Sequence, residues 1–459
     1  MALVSIHALL LLLSGAFSHD AAPLSYPVLL FVCLEMLAGL IYMSLLWLIP
    51  RCREERRLIV LVVGVGVIMR AVTMFSTPIL EDDYHRYLWD GAVGAAGHDP
   101  YRYSPAQVLD AGDDAGPDLA ALAVLALDAQ VARINYPRLT SIYPPLTQAA
   151  FALVAAIEPF SLDAWRLMLL LFEAVTVYLL YVILRRLRRS ALWLAIYLWN
   201  PLVVKELINS AHMDALLLPF LAAALLLMLH ARIRLASLAL ALAAGIKLWP
   251  VLLLPTVLRP IASRPGKLAA ALAIFVAAFS FTAWWIFRQA GGDTGLGAYA
   301  LGWNMNDAHF LALNWLVEQV LERLDNPWIH GASVARALAA ATAAWLALWL
   351  NRRVAADGDA LCRRFTLVTA VVFLLSPAQF PWYYTWLVPF LVLVPSPGLL
   401  LLTVMLPLYY LRFYLDFRGQ SRLFDYGIVW LEYLPVWLLL AWEWRPAPGR
   451  RARLEPGHP

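Results

Sequence analysis

Long apolar runs recur along the whole chain, broken by short basic segments and two long polar ones. A helix needs about 20 apolar residues to cross the hydrocarbon core of a bilayer. By that measure candidate spans fall at roughly 3–18, 26–49, 58–76, 163–184, 191–208, 213–230, 267–288, 331–350, 364–379, 383–396, 398–415 and 426–444. The pattern predicts an all-α, polytopic transmembrane helical protein of about 12–14 spans, a single integral membrane domain over 1–459. No internal repeat and no second soluble domain is visible.

Charge orients these spans. Basic segments at Arg51–Arg57, Arg185–Arg189, Arg232–Arg234, Arg259–Lys267, Asn351–Arg364 and the short tail 445–459 are expected in the cytoplasm by the positive-inside rule. The opposite side then receives a first large periplasmic loop at 77–162, a second at 289–330, the turn at 379–381 and the segment 416–425. Two apolar stretches must be fitted to that parity. Residues 146–160 are read as an interfacial helix lying on the membrane. Residues 234–258, flanked by basic loops on both sides, are read as a helical hairpin with its tip near Lys247–Pro250, where Gly245 and Pro250 favour a break. The other reading is one tilted helix with a snorkelling lysine, which leaves Lys247 to cost about 2.5–3.5 kcal/mol. Met1–Ser18 is either a cleaved signal peptide or the first span, and the missing basic n-region favours the span.

Composition agrees with this class. Of 459 residues, 62% are hydrophobic and 14% charged, against roughly a quarter charged in a soluble domain. The net charge of +4 sits in membrane-flanking loops, so it does not argue for a nucleic-acid partner. Three cysteines, Cys33, Cys52 and Cys362, form no disulfide framework and no metal-ligand spacing.

The candidate chemistry begins where the third span opens into the first long loop, at Glu81-Asp82-Asp83. On a helix Asp83, Arg86, Tyr87 and Asp90 share one face, with Tyr84, Leu88 and Gly91 beside it. Such a helix is expected at the interface, aromatic side down and charged side exposed. Three adjacent carboxylates repel one another, which raises the pKa of one of them in a partly desolvated site. That suits a general base. The alternative is an acidic helix N-terminus favoured by the helix dipole alone. Cation binding by Glu81 and Asp83 is a further option, but no other oxygen-ligand cluster is evident; no cofactor is expected, and a divalent metal is not indicated.

Other segments share that side. Asp99-Pro100-Tyr101-Arg102-Tyr103-Ser104-Pro105 and Ile142-Tyr143-Pro144-Pro145-Leu146 are rigid, aromatic and proline-rich. With the acidic opening and Tyr84-x-x-Tyr87-x-Trp89-Asp90-Gly91, they resemble the GT-C glycosyltransferases, in particular bacterial polyprenyl-phosphate-mannose-dependent mannosyltransferases. Asn209–Ala215, Ala244–Pro250, Gly302–Asp307 and Pro381–Tyr384 extend the resemblance over about residues 58–415.

The resemblance implies a GT-C type core and an inverting transfer of a sugar, mannose or another hexose or pentose, from a polyprenyl phosphate. The acceptor would be a glycan, lipid or protein at the outer face of the plasma membrane. It implies an Asp base, Asp82 or Asp83; Asp83 is preferred because it shares a face with Arg86 and Asp90 while Asp82 points aside. It implies basic residues on the donor phosphate, with Lys247 first and Arg102 and Arg86 next. Glu81, Tyr87, Asp90, Tyr143, His212, Asp214, Trp303, Asn306 and Trp382 are the expected pocket residues, with no metal ligand among them. His212 is equally readable as a helix-end residue, and Lys205–Glu206 as an ion pair within a helix. A transporter or flippase of a lipid-linked or anionic substrate is the main alternative, but it should show paired repeats and midplane charges. A non-catalytic scaffold would not need these groups on one side.

Overall fold

A computed structural model describes residues 1–18, 26–111, 116–128, 131–289, 294–324 and 330–445. The basic tail after Arg445 lies outside the described residues. The fold is all-α; the described residues hold no strand beyond one isolated bridge, Met305 to Ala378.

Seven helices are long and apolar enough to cross a bilayer: Pro27–Arg51, Arg56–Met74, Leu162–Arg186, Pro265–Arg288, Gly331–Leu350, Pro397–Phe417 and Ser421–Glu443. Ala191–Leu198 and Pro201–Asn209 make an eighth if their 57° bend is one broken span. That bend falls at Asn200-Pro201. Pro201 cannot continue the helix before it, and the Asn200 side chain accepts from the Val203 N–H and donates to Thr403. The chain is thus a multi-pass membrane protein.

Other predicted spans are shorter or broken. Ala2–Phe17 and Met213–Leu229 are too short to qualify. Gly358–Leu375 has 18 residues but carries Asp359, Arg363 and Arg364. The run at 383–396 breaks into Pro381–Tyr384 and Val388–Leu391, with prolines at 381, 389 and 395. Its residues from Pro381 to Leu393 are buried within the protein, which is where irregular backbone at membrane depth is tolerated.

Two local expectations can be compared directly. Helix Ile233–Ile246 stops at Lys247, which is extended (φ −149°, ψ 137°), and Trp249–Leu258 packs back on it as a hairpin. Residues 146–160 form the helix Pro145–Ile157. It lies so close against helix Asp83–Ala95 that a Cβ at Gly91 would stand 2.6 Å from the Phe151 carbonyl oxygen. This packing corrects the expected exposed charged face: Arg86, Tyr87 and Asp90 are buried.

A buried ion pair ties the frame together. Arg70 donates through Nε and Nη2 to both oxygens of Glu173, each at 2.9 Å, joining helices Arg56–Met74 and Leu162–Arg186. Tyr197 donates to the same carboxylate at 2.8 Å. Nothing in the spacing of these three residues signals the contact.

Candidate active site

One cavity of about 860 Å³ opens beside the acidic segment. Glu81, Asp82, Asp83, Arg86, Tyr87, Tyr143, Asp214, Lys247, Trp303 and Trp382, all anticipated from sequence, line it. The hairpin break at Lys247, the helix start at Asp83 and the short helix Pro381–Tyr384 are what bring these distant segments together.

Asp82 is the N-cap of helix Asp83–Ala95, and Leu80 before it adopts φ 52°. This turn directs both aspartates inward. Asp82 does not point aside: Asn135 Nδ2 donates to Asp82 Oδ1 at 2.6 Å and to Asp83 Oδ1 at 3.0 Å. One amide therefore clamps two carboxylates. Burial, and the neighbouring Asp82 charge, push the Asp83 carboxyl up to about 6; Asn135 and Lys247 oppose the shift. The second Asp83 oxygen lies 3.5 Å from the Tyr87 hydroxyl and 3.8 Å from His212 Nδ1. The Tyr87 hydroxyl in turn lies 3.3 Å from His212 Nδ1.

Lys247 Nζ donates to Asp214 Oδ1 at 2.6 Å. It sits 3.9 Å from the Tyr383 ring centroid and 4.6 Å from that of Trp386. Trp386 Nε1 donates to the same Asp214 oxygen, and the Tyr299 and Tyr383 hydroxyls share a 2.6 Å hydrogen bond. The lysine is thus held at the rim of an aromatic wall rather than hanging free.

A second charged group lies directly behind Asp83. Tyr410 donates to Glu206 at 2.8 Å and contacts Glu81 at 3.0 Å. Lys205 Nζ stands 3.4 Å from Glu206 and 3.8 Å from Glu81. His212, fully buried, places Nε2 at 3.5 Å from Glu206 and 3.7 Å from Glu81, and stacks on Trp382 at 4.1 Å between ring centroids. Burial raises the Glu81 carboxyl well above the usual range against the pull of Lys205. Glu81, Glu206 and His212 offer ligand atoms within 4.8 Å of one another, a spacing a divalent ion can use. Lys205 already supplies a cation at that place.

Four anticipated residues are not brought to the cavity wall. Arg102 is exposed and pairs with Asp118. Asn306, at φ 55°, donates to Glu432 at 2.8 Å and to the Gln379 carbonyl. Asp90 lies beneath the helix, accepting from Arg86, Ser141 and Gln148. His212 belongs to the buried group just described. Sequence reasoning missed Asn135 and Tyr410. Asn135 lies in Ile134-Asn135-Tyr136-Pro137, a few residues before the Ile142–Leu146 stretch, with no charge or motif of its own to mark it. Tyr410 lies in an apolar run with no polar pattern around it.

Comparison with known proteins bears on this arrangement. Residues 16–263, more than half of the chain, match the MptA/B family, described as alpha-(1->6)-mannopyranosyltransferase, N-terminal domain. The matched span contains the acidic turn, Lys205, Glu206 and His212 of the buried group, and the hairpin lysine. Neither a curated protein nor a solved structure matches the chain. On the family match the chain belongs to this mannosyltransferase family and is a membrane glycosyltransferase.

Proposed function

We propose that the protein transfers a sugar, mannose by the family's description, from a polyprenyl phosphate to a glycan, lipid or protein acceptor at the outer face of the plasma membrane. The observation that carries this reading is the convergence of Asp82, Asp83 and Lys247 on one cavity with an extensive apolar lining. Asp83 is the base. A carboxyl held at about 6 is ionised at neutral pH yet basic enough to take a hydroxyl proton. As the acceptor oxygen bonds to the anomeric carbon, its proton passes to Asp83. The bond from that carbon to the phosphate oxygen breaks, its electron pair leaving with the phosphate, and the configuration inverts. Lys247, beside Asp214, stabilises the charge that grows on the leaving phosphate. Arg86 is already committed to Asp90 at 2.8 Å and to the Leu139 carbonyl, so it shapes the wall.

The direct test offers radiolabelled polyprenyl phosphate mannose, arabinose, glucose and galactose to the purified protein, with Asp83→Asn as the blank. Transfer from a nucleotide sugar but from none of these lipids would sink the donor assignment. Lys247→Ala is expected to lower kcat/KM for the donor by about 100-fold, with acceptor KM nearly unchanged. Unchanged donor kinetics would remove Lys247 from the phosphate.

The orientation has its own check. Ser104 is buried as the cap of helix Pro105–Leu109, so Asp110, exposed at the end of that helix, is the position to use. Asp110→Cys is expected to react with a membrane-impermeant maleimide in intact cells, on a background lacking Cys33 and Cys52, which are exposed. Reaction only after lysis would place this loop in the cytoplasm.

A further inference from the structure

The end of the fold that charge assigns to the cytoplasm holds a cluster that the proposed reaction does not touch. Three arginines from three segments meet there. Arg259 follows helix Leu254–Leu258, Arg352 follows helix Gly331–Leu350, and Arg364 stands in the second turn of helix Gly358–Leu375. Arg259 donates to the Arg352 backbone carbonyl through Nε at 3.1 Å and Nη2 at 2.6 Å. Arg364 lies within reach of the Arg259 charge. Helix Gly331–Leu350 runs about 21 Å from Arg336, which lines the cavity, to Leu350, so the cluster is remote from the active site.

Basic loops are the rule on this side, and convergence without pairing sets this one apart. Arg57, Arg185 and Arg189 have carboxylate partners in Glu55, Glu54 and Asp359. Among the described residues no ion pair includes Arg259, Arg352 or Arg364. The acids of the intervening loop are engaged elsewhere: Asp359 with Arg189, and Asp357 as a helix cap accepting from the Ala360 N–H at 2.7 Å. Like charges gathered without a counter-charge repel one another, and an anion among them removes that repulsion.

An apolar strip leads up to the cluster. Trp345, Leu348, Trp349 and Arg352 fall at i, i+3, i+4 and i+7, one face. The three apolar side chains are 59%, 61% and 44% exposed. Trp345 and Trp349 stack at 6.4 Å between ring centroids, and the Arg352 guanidinium lies 4.5 Å from the Trp349 centroid. Exposed tryptophans at the end of a membrane span mark the depth where headgroups meet acyl chains.

We propose that Arg259, Arg352 and Arg364 bind an anionic phospholipid of the cytoplasmic leaflet, with its phosphate on the guanidiniums and an acyl chain along Trp345, Leu348 and Trp349. Basic pockets between membrane helices on the cytoplasmic side take such headgroups, and arginine's planar fork meets phosphate oxygens two at a time. The lipid is a membrane component and not a substrate. It ties the arm of the hairpin that descends from Lys247 to helix Gly331–Leu350. The choice of leaflet rests on the orientation proposed above, which the Asp110→Cys labelling checks by itself.

Binding is read without any transfer assay. The full chain in detergent micelles is titrated by native mass spectrometry with phosphatidylglycerol and with phosphatidylcholine of the same acyl chains. The native protein is expected to bind phosphatidylglycerol about tenfold more tightly, the scale of one to two basic contacts at a membrane surface. Arg352→Gln with Arg364→Gln is expected to abolish the preference; the Arg259 contact persists because it is to a backbone carbonyl. Arg352→Gln alone, at an exposed position, is expected to show part of the loss. Arg53→Gln with Arg56→Gln removes as much charge from another basic loop and is expected to keep the preference. Trp349→Ala is expected to weaken both lipids alike. Equal binding of the two lipids by the native protein would overturn the site. So would an equal loss in the two double variants, since net charge alone would then explain the binding. Displacement of phosphatidylglycerol by millimolar inorganic phosphate would make this a soluble-anion site and overturn the lipid assignment.

Discussion

Asp83→Asn is expected to reduce transfer by about 10²–10⁴-fold, the usual range for loss of a general base, while the protein still inserts and folds. The substitution keeps the shape of the side chain and an oxygen for the Asn135 amide, but it cannot accept the acceptor's proton. Asp82→Asn is expected to cost far less. Its main effect is to remove the neighbouring charge that helps raise Asp83, so the remaining activity should persist to lower pH. Full activity in Asp83→Asn, with loss in Asp82→Asn, would exchange their roles.

The pH dependence follows from the same carboxyl. The base works only when ionised, so kcat/KM should rise with pH through about 6 and level off above it. Stability runs the other way. The folded-state value lies above the ordinary 3.8, so the protonated form is the one folding favours. The contribution of this group is fully present below the unfolded pKa and is lost as pH rises through about 6. Asp83→Asn, neutral at every pH, should therefore raise Tm at pH 7 and change it little at pH 4. A variant that is both inactive and more stable is the signature of a strained functional group. A drop in Tm at pH 7 would instead make Asp83 a structural anchor.

Much of this site was legible in the chain because its parts carry charge against an apolar background. Asp82, Asp83, Asp214 and Lys247 stand out wherever hydropathy collapses, and the hairpin follows from Lys247 lying between helix-length runs. What stayed hidden depends on tertiary closure. The exposed face expected for Arg86 and Asp90 fails because helix Pro145–Ile157 covers it, through a glycine contact that no period in the sequence encodes. The resemblance implies Arg102 as a donor-phosphate ligand, but an aspartate sixteen residues later claims it. Asn306 sits in a promising motif, yet its positive φ turns the amide toward Glu432 on the last described helix. The apolar runs do mark an all-α, multi-pass chain, but the run at 383–396, interrupted by proline, is not continuous enough to cross as one helix.

Lys205→Ala is expected to cost about 3–5 kcal/mol of stability, the range for removing one member of a buried charge pair. Read along the chain, Lys205-Glu206 is a local pair of neighbours. In the fold Lys205 is the cation of a group that also contains Glu81, drawn from the far loop, with His212 and Tyr410 closing around it. Without the ammonium, two carboxylates face each other, both almost wholly buried. The cost must then depend on pH. Glu81 is already raised toward its neutral form, so acidification protonates the pair and relieves the missing charge. The Tm gap between Lys205→Ala and the native protein should widen as pH rises and narrow as it falls. Glu206→Gln in the same chain should recover part of the loss, since it removes one of the two charges left without compensation. Such non-additivity is what a shared network predicts and what an isolated neighbour pair on a helix does not. If Lys205→Ala unfolded at the native temperature across the whole pH range, the group behind Asp83 would be a set of neutral hydrogen bonds.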